Sequence, residues 1–344
     1  MVRCNHTQHA LPSFPVYSIG FVADDKVVLG GGGGASRSGI KNKLRLYNVD
    51  SKSLDLVNEL ELDPGEDAPM SMAIARKSQD IICGINSTLE KRKNDNQNCR
   101  VYHVSKEDKL EKKQTTSTLT IENDEDDDYQ KVTTLSPDGG IFAVGSTNNQ
   151  VALLSFPALE PIASPFDIPK SGGDVFDVDF YDEYAVICGS KTIYFVRLPS
   201  SKLGKRNAKT ALEVATTVAL PTLPGLATGT TCSFRAARMV NNNDSEGQSA
   251  GKLLYAVVNT TPPRSARGGS RAAFVCVFQQ QDKSPEWGLV KNRSASSKAI
   301  TVFDVNGAGT LLAYGSSDLS IGILDAKTLA VSPSRSKSDD DHFH

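Results

Sequence analysis

Five consecutive glycines, Gly30 to Gly34, follow the strand-like run "DKVVLG" and lead into the basic segment "SRSGIKNKLRLY". A phosphate-binding loop needs G-x-x-x-x-G-K-[ST]: backbone amides cradle the phosphates, the lysine reaches the outer ones and the hydroxyl ligates magnesium. Gly34 and Gly39 have that separation, but Ile40 stands where the lysine belongs. Lys41 comes one position late, and Asn42 behind it cannot replace Ser or Thr as a metal ligand. The following "KLRLYNV" alternates like a strand, so no helix N-terminus faces a phosphate, and a dinucleotide fingerprint fails for the same reason. The loop is not a nucleotide cradle.

Two readings remain for it. Glycines alone suit a flexible hairpin tip. An aliphatic Ile40 between Gly39 and Lys41 instead suits a side chain that enters a partner's pocket, worth about 1.5–3 kcal/mol when fully buried. Glycine also leaves φ unrestricted, so carbonyl oxygens can converge, and a curled loop of this kind can surround a hard cation.

Little else in the chain points to chemistry. The 344 residues carry 38 Lys plus Arg against 40 Asp plus Glu, a formal net charge of -2, which gives no footprint for nucleic acid. Six cysteines are scattered without a CxxC pair, several in strand-like runs, which reads as reduced thiols in a cytosolic setting. "CNHTQH", with Cys4, His6 and His9, is terminal and lacks a second ligand pair. Of the five histidines only His103, in "CRVYHV", sits in a strand-like run, and no Ser/His/Asp set follows from the spacing. The N-terminus lacks the apolar core of a signal peptide, and no 18-residue apolar run marks a membrane span. The acidic run from Ile121 to Asp128 reads as a solvated loop, and Arg264, Arg267 and Arg271 as a hairpin extension.

The elements that must position the glycine loop are strands. Short β-branched and aromatic runs alternate with turn clusters: "GGIFAVGSTNNQVALLSF", "DEYAVICGSKTIYFVRL" and "AGTLLAYGSSDLSIGILDAKTL" each read apolar run, Gly/Ser turn, apolar run. An earlier strand precedes each, which makes the unit a four-stranded propeller blade. From Gly145 to Gly189 is 44 residues and from Gly189 to Gly315 is 126, three periods of 42. Weaker units centre on Ile81, Leu254 and the glycine stretch at Gly30, six in all. The insertions "STLEKRKNDNQNC", "SSKLGKRNAKT", "NNNDSEGQSAG" and "TTPPRSARGGSR" read as loops. Residues 1–13 are expected to be a flexible tail, 14–330 a propeller and 331–344 a disordered tail.

"GGGGASRSGIKNKL" after a strand resembles the loop of the endoplasmic-reticulum β-propeller exchange factors that activate the Sar-family small GTPase for COPII coat assembly. The family pattern of a glycine-rich run, variable polar residues and Gly-Ile-x-Asn is matched by Gly39, Ile40, Lys41 and Asn42. "EDAPMSMAI", with Asp67 and Pro69, and "DDYQKVTTLSPDGGIFAVGS" are further matches, and the similarity runs from Tyr17 to Thr328. The resemblance implies an all-β, WD-type propeller, seven-bladed in the family and with its last blade incomplete here. It implies a structural potassium ion held by Asn42 and by carbonyls within Gly32 to Gly39, with Gly33, Gly34, Ser36 and Ser38 among the donors. Ile40 would reach into the GTPase near its switch regions, with Lys41 and Asn42 beside it and Asp67 and Pro69 flanking the loop. The setting implied is the cytosolic face of the endoplasmic reticulum membrane, reached through a C-terminal anchor absent from this chain, with the propeller acting as a monomer.

The activity implied is exchange without covalent chemistry. A propeller that binds the nucleotide-free GTPase more tightly weakens nucleotide binding by the same factor. The alternative is a non-catalytic WD-type scaffold for protein–protein assembly, whose binding would ignore nucleotide state.

Overall fold

Each Gly/Ser cluster of the sequence turns the chain back on itself, so that apolar runs pair antiparallel in chain order. The computed structural model describes residues 7–35, 39–119, 128–199, 209–243, 249–263, 271–280 and 286–331. The first sheet holds β1 (Val16–Ala23), β2 (Lys26–Gly31), β3 (Lys43–Val49) and β4 (Leu54–Glu61). The second holds β5 (Ser71–Ala75), β6 (Asp80–Gly84), β7 (Cys99–Val104) and β8 (Leu110–Thr116). The third holds β9 (Gln130–Leu135), β10 (Ile141–Ser146), β11 (Gln150–Ser155) and the two-residue β12 (Phe166–Asp167). The fourth is β13 (Val175–Tyr181), β14 (Tyr184–Gly189), β15 (Thr192–Arg197) and β16 (Glu213–Ala219). The fifth is β17 (Thr231–Asn243), β18 (Ser249–Thr261), β19 (Ala273–Gln280) and β20 (Trp287–Ser296). The sixth has three strands, β21 (Ile300–Val305), β22 (Leu311–Ser316) and β23 (Ile321–Asp325), extended by one bridge between Leu324 and Val331.

The first strands of successive sheets pack side by side from β1 through β5, β9, β13 and β17 to β21, which arranges the sheets as propeller blades. Apolar side chains fill every seam between consecutive blades. Val28 and Leu46 meet Ile81 and Tyr102 in the first seam, and Ile82 and Val101 meet Phe142 and Leu154 in the second. Leu153 meets Val175 and Ile187 in the third, Phe195 meets Phe234 and Phe278 in the fourth, and Val275 meets Ile300 and Leu312 in the fifth. The periodic glycines of the second strands sit where neighbours come close: a Cβ on Gly145 would lie 2.9 Å from Val175 of the next blade. Arg238 of β17 ties three blades together, bonding Asp177 of β13 and, at 3.0 Å, Asp304 of β21. Arg238 and Asp304 border a central cavity of about 960 Å3.

The seven blades that the family resemblance implies are six here among the described residues, and "PVYSIGF" supplies β1 of the first blade. Among the described residues, the seam from the sixth blade back to the first lacks the packing of the other five. On one side of it Leu11 and Phe14 cover Val27, Leu29 and Tyr47 of the first blade, while Tyr17, Ile19 and Phe21 stay exposed. Across it Val302 and Ile321 are 65% and 83% exposed.

Two insertions differ from the loops expected. "STLEKRKNDNQNC" contains a short helix, α1 (Leu89–Asp95), because Leu-Glu-Lys-Arg-Lys is a run of good helix formers. "NNNDSEGQSAG" extends a hairpin, since β17 runs to Asn243 and β18 resumes at Ser249. The acidic run up to Asp127, Arg264, Arg267, Cys4 and His6 lie outside the described residues. Among the described residues, no helix is long and apolar enough to cross a membrane.

This asymmetry can be measured. Phe142→Ala, in a filled seam, should cost about 3–5 kcal/mol in denaturant unfolding. Ile321→Lys, on the open face, should stay within about 0.5 kcal/mol of the parent. Comparable losses for the two would mean that the last seam is closed.

Candidate functional site

Strand β2 delivers the chain into the glycine run and β3 takes it away, so the loop crowns the central hairpin of the first blade. Gly31 still pairs with Lys43 and with Val16, and Gly32 N–H donates to the Pro15 carbonyl at 3.0 Å. The two arms of the loop then touch. A Cβ on Gly32, whose φ is +141°, would lie 2.2 Å from Asn42 Oδ1 and 2.7 Å from the Lys41 carbonyl oxygen. Only glycine tolerates both that backbone conformation and that approach.

Asn42 is the clasp. Its Oδ1 accepts from Gly34 N–H at 2.9 Å, and its Nδ2 donates to the Gly34 carbonyl at 2.9 Å and to the Glu66 carbonyl at 2.7 Å. One buried carboxamide therefore ties Gly34 back to Asn42 and fastens both to the turn leading into the second blade. Gly34 takes φ +71° and Gly39 φ +76°, two left-handed corners that favour glycine.

The turn is itself held from the second blade. Arg100, on β7 and 2% exposed, places Nη1 2.7 Å from Glu66 Oε2. Burial works against the Arg100 charge, but the bonds to Glu66 and Tyr102 outweigh it and keep the guanidinium protonated. Asp67 Oδ1 accepts from Ala35 N–H at 3.2 Å and from Ala68 N–H at 2.9 Å, and its Oδ2 lies 3.6 Å from Arg92 Nη2 of α1. Pro69 is buried against Gly30, where a Cβ would come within 2.7 Å of its ring, and its carbonyl accepts from Ser18 Oγ at 2.7 Å.

The residues expected at the site thus fall into three groups. Asn42, Gly34, Asp67 and Pro69 converge at the base of the loop, with Gly33 half-buried beside them. Ile40 and Lys41 lie on the outer arm. Ile40 is half-buried instead of exposed, and Lys41 forms an exposed ion pair with Glu61 at 2.6 Å, of little energetic weight. Ser36 and Ser38 lie outside the described residues.

At the base of the loop Asn42 Oδ1 already accepts from Gly34 N–H, and Asp67 Oδ1 from Ala35 and Ala68 N–H. Oxygen is the donor type that alkali and alkaline-earth ions take. Among the described residues, no group of three His, Cys, Asp or Glu side chains is placed to hold a metal ion.

No family model matches the chain. Over 182 residues it is 29% identical to the guanine nucleotide-exchange factor SEC12 of Candida glabrata, covering 51% of this chain and 38% of that protein. Over 337 residues it is 25% identical to the putative guanine nucleotide-exchange factor SED4 of the same organism, covering 92% of this chain and 28% of that one. The matched regions therefore span less than two fifths of either relative's length. Among solved structures, the periplasmic gluconolactonase PpgL of Pseudomonas aeruginosa superposes with TM-score 0.62 at 13% identity, covering 95% of this chain and 85% of that one. Sqt1 from Chaetomium thermophilum gives 0.52 at 13% identity, with 93% and 71% covered. The C-terminal WD40 domain of Sif2 gives 0.50 at 13% identity, with 92% and 84% covered. At that identity the likeness speaks for the propeller fold alone.

Sequence reading missed Glu66, Arg92 and Arg100. Glu66 adjoins Asp67 in "GEDAP" and acts through its backbone as well as its carboxylate, which no pattern marks. Arg92 lies in an insertion read as a solvated loop, and Arg100 lay unremarked in the strand run "CRVYHV". An arginine in that otherwise apolar run was the one available signal, since a buried guanidinium demands a partner.

Asn42→Ala should open the curl. The buried Glu66 carbonyl loses its donor and Gly34 both of its partners, at a cost of about 1–3 kcal/mol. Amide hydrogen exchange is expected to quicken at Gly34 and Ala35 while the β10 and β14 cores stay protected. Unchanged exchange at Gly34 would mean that something other than Asn42 holds the loop.

Proposed function

We propose that this chain is the propeller of a guanine-nucleotide exchange factor that promotes GDP release from a Sar-family small GTPase at the cytosolic face of the endoplasmic reticulum membrane, the step that starts COPII coat assembly. The observation that carries this reading is the Asn42-clasped glycine loop, which holds Gly39, Ile40 and Lys41 on its outer arm. Similarity to two proteins named as exchange factors supports it.

Exchange of this kind needs shape rather than bond-making. A surface that fits the nucleotide-free GTPase better than the nucleotide-bound form lowers nucleotide affinity by the same factor that nucleotide lowers its own binding. Ile40 supplies the apolar contact, passing from half-buried on the loop to fully buried in the partner. Lys41 can exchange its exposed pairing with Glu61 for a partner carboxylate at little cost. Asp67 and Pro69 act beneath the loop, fixing Ala35 and sealing Gly30.

A potassium ion, when bound, would stiffen the loop. Asn42 Oδ1 and the carbonyls of Gly33 and Gly34 would hold it, with Ser36 and Ser38 as further oxygen donors. The loop residues themselves lower the ordering cost of docking, because Asn42 already fixes the curl.

The test is release of a fluorescent nucleotide from a Sar-family GTPase. Ile40→Asp is expected to lower exchange kcat/KM at least about tenfold, as loss of one buried aliphatic contact requires, with an unchanged unfolding midpoint. Replacing potassium by sodium should slow exchange in the parent protein and matter less in Asn42→Ala. Unchanged release with Ile40→Asp overturns the role given to that residue. Binding that is indifferent to the nucleotide state of the GTPase would instead support a propeller scaffold.

A further inference from the structure

Two loops rise from equivalent positions of adjacent blades. The glycine loop joins the second and third strands of the first blade, and the insertion that carries α1 joins β6 to β7, the same two strands of the second. The third and fourth blades make this connection in the short turns 147–149 and 190–191. The 63–68 turn touches both loops. Leu62 N–H donates to the Asn42 carbonyl at 2.9 Å, so the chain leading to the exposed Pro64 runs antiparallel to the arm that carries Ile40. On the other flank a Cβ on Gly65 would sit 3.6 Å from Thr88 Cγ2, and Asp67 N–H donates to the Asn86 carbonyl at 3.0 Å. The Asp67 carboxylate bridges the two loops, with Oδ1 on Ala35 N–H and Oδ2 3.6 Å from Arg92 Nη2.

Seven residues are too few for a helix to stand by itself in water. Buried polar bonds hold α1 in place instead. Arg92 Nε donates to the Ser87 carbonyl at 2.9 Å, Ser87 N–H to Asn96 Oδ1 at 3.0 Å, and Asn96 Nδ2 to Asn86 Oδ1 at 3.2 Å. On this fixed element Leu89 is 65% exposed, beside the exposed Glu90 and Lys91. Exposed leucines are common on protein surfaces, but this one stands on an immobilised helix next to the turn that clasps the glycine loop. Ile40, Pro64 and Leu89 thus supply one apolar side chain each from the loop, the turn and the helix.

A stable protein interface takes about 800 Å2 and roughly 20–30 residues from each partner, more than residues 32–42 provide. A GTPase seated on Ile40 must therefore rest on neighbouring ground, and α1 is the element that the 63–68 turn joins to the loop. Resting on the exchange reading above, we propose that Leu89 is a second apolar anchor for the same small GTPase, so that loops from two blades grip one partner. Two anchors fix the angle at which the partner sits, where one inserted side chain leaves it free to pivot. Because buried bonds already order α1, its contact adds little ordering cost on docking.

Fluorescent nucleotide release from a Sar-family GTPase tests this with three variants. Leu89→Asp, an acidic residue that the first turn of a helix tolerates, should lower exchange kcat/KM at least about fivefold. Leu89→Met keeps the apolar contact and should stay within about twofold of the parent. Val290→Asp, 55% exposed on the outer strand of the fifth blade, should match the parent. Unfolding midpoints check that all three fold. Amide hydrogen exchange at Gly34 and Ala35 of free Leu89→Asp protein should equal that of the parent, which separates direct contact from an effect sent through the loop. Parental release by Leu89→Asp overturns the inference and leaves the exchange reading standing. Equal losses in Leu89→Asp and Val290→Asp, or quickened amide exchange at Gly34, do the same. No exchange by the parent protein overturns both readings.

Discussion

A propeller blade is apolar on both faces and is stable only between two neighbours. That constraint governs this molecule. Five seams meet it with aromatic and branched side chains interleaved across them, and their tightness shows at Gly145, where even a methyl group would press on the next blade. Among the described residues, the sixth seam does not meet it. There the N-terminal segment stands in for part of a neighbour, with Phe14 on Val27 and Leu29 and the Arg45 guanidinium over the Phe14 ring at 4.2 Å. Arg238 reinforces the free end differently, by linking three inner strands through ion pairs.

The glycine loop inherits its order from this arrangement. Its own sequence encodes freedom, since glycine loses more conformational entropy on ordering than any other residue. Order comes from the Asn42 carboxamide at its base and from the 63–68 turn, and that turn is held by a buried ion pair from the second blade. Such a pair contributes little net stability compared with an apolar substitute, yet losing one partner leaves a buried charge unmet. Its value here is positional: Glu66 presents its carbonyl to Asn42 because Arg100 grips its carboxylate.

Much of this was legible in the sequence. The six units followed from apolar runs broken at Gly/Ser turns, because a blade repeats its turn chemistry even where its side chains drift. Asn42, Asp67 and Pro69 stood out through the family resemblance. Arg92 and Arg100 were hidden, since their partners lie in a different element and local spacing carries no trace of a contact made through the fold. α1 was hidden by polarity: Glu90 and Lys91 are exposed and resemble a loop, whereas Arg92 is buried. Ile40 was legible as an unusual aliphatic in a polar context, while its half-buried state depends on how the outer arm folds back.

The loop begins and ends in the first blade but is pinned to the second. Mechanically it is a bowstring strung between two plates. Sliding one plate along the other, by pressure on a distant rim, would alter the tension in the string and so the curvature at its tip. The seam beneath the loop is thus a lever arm, and stiffness there sets how faithfully the tip keeps its shape.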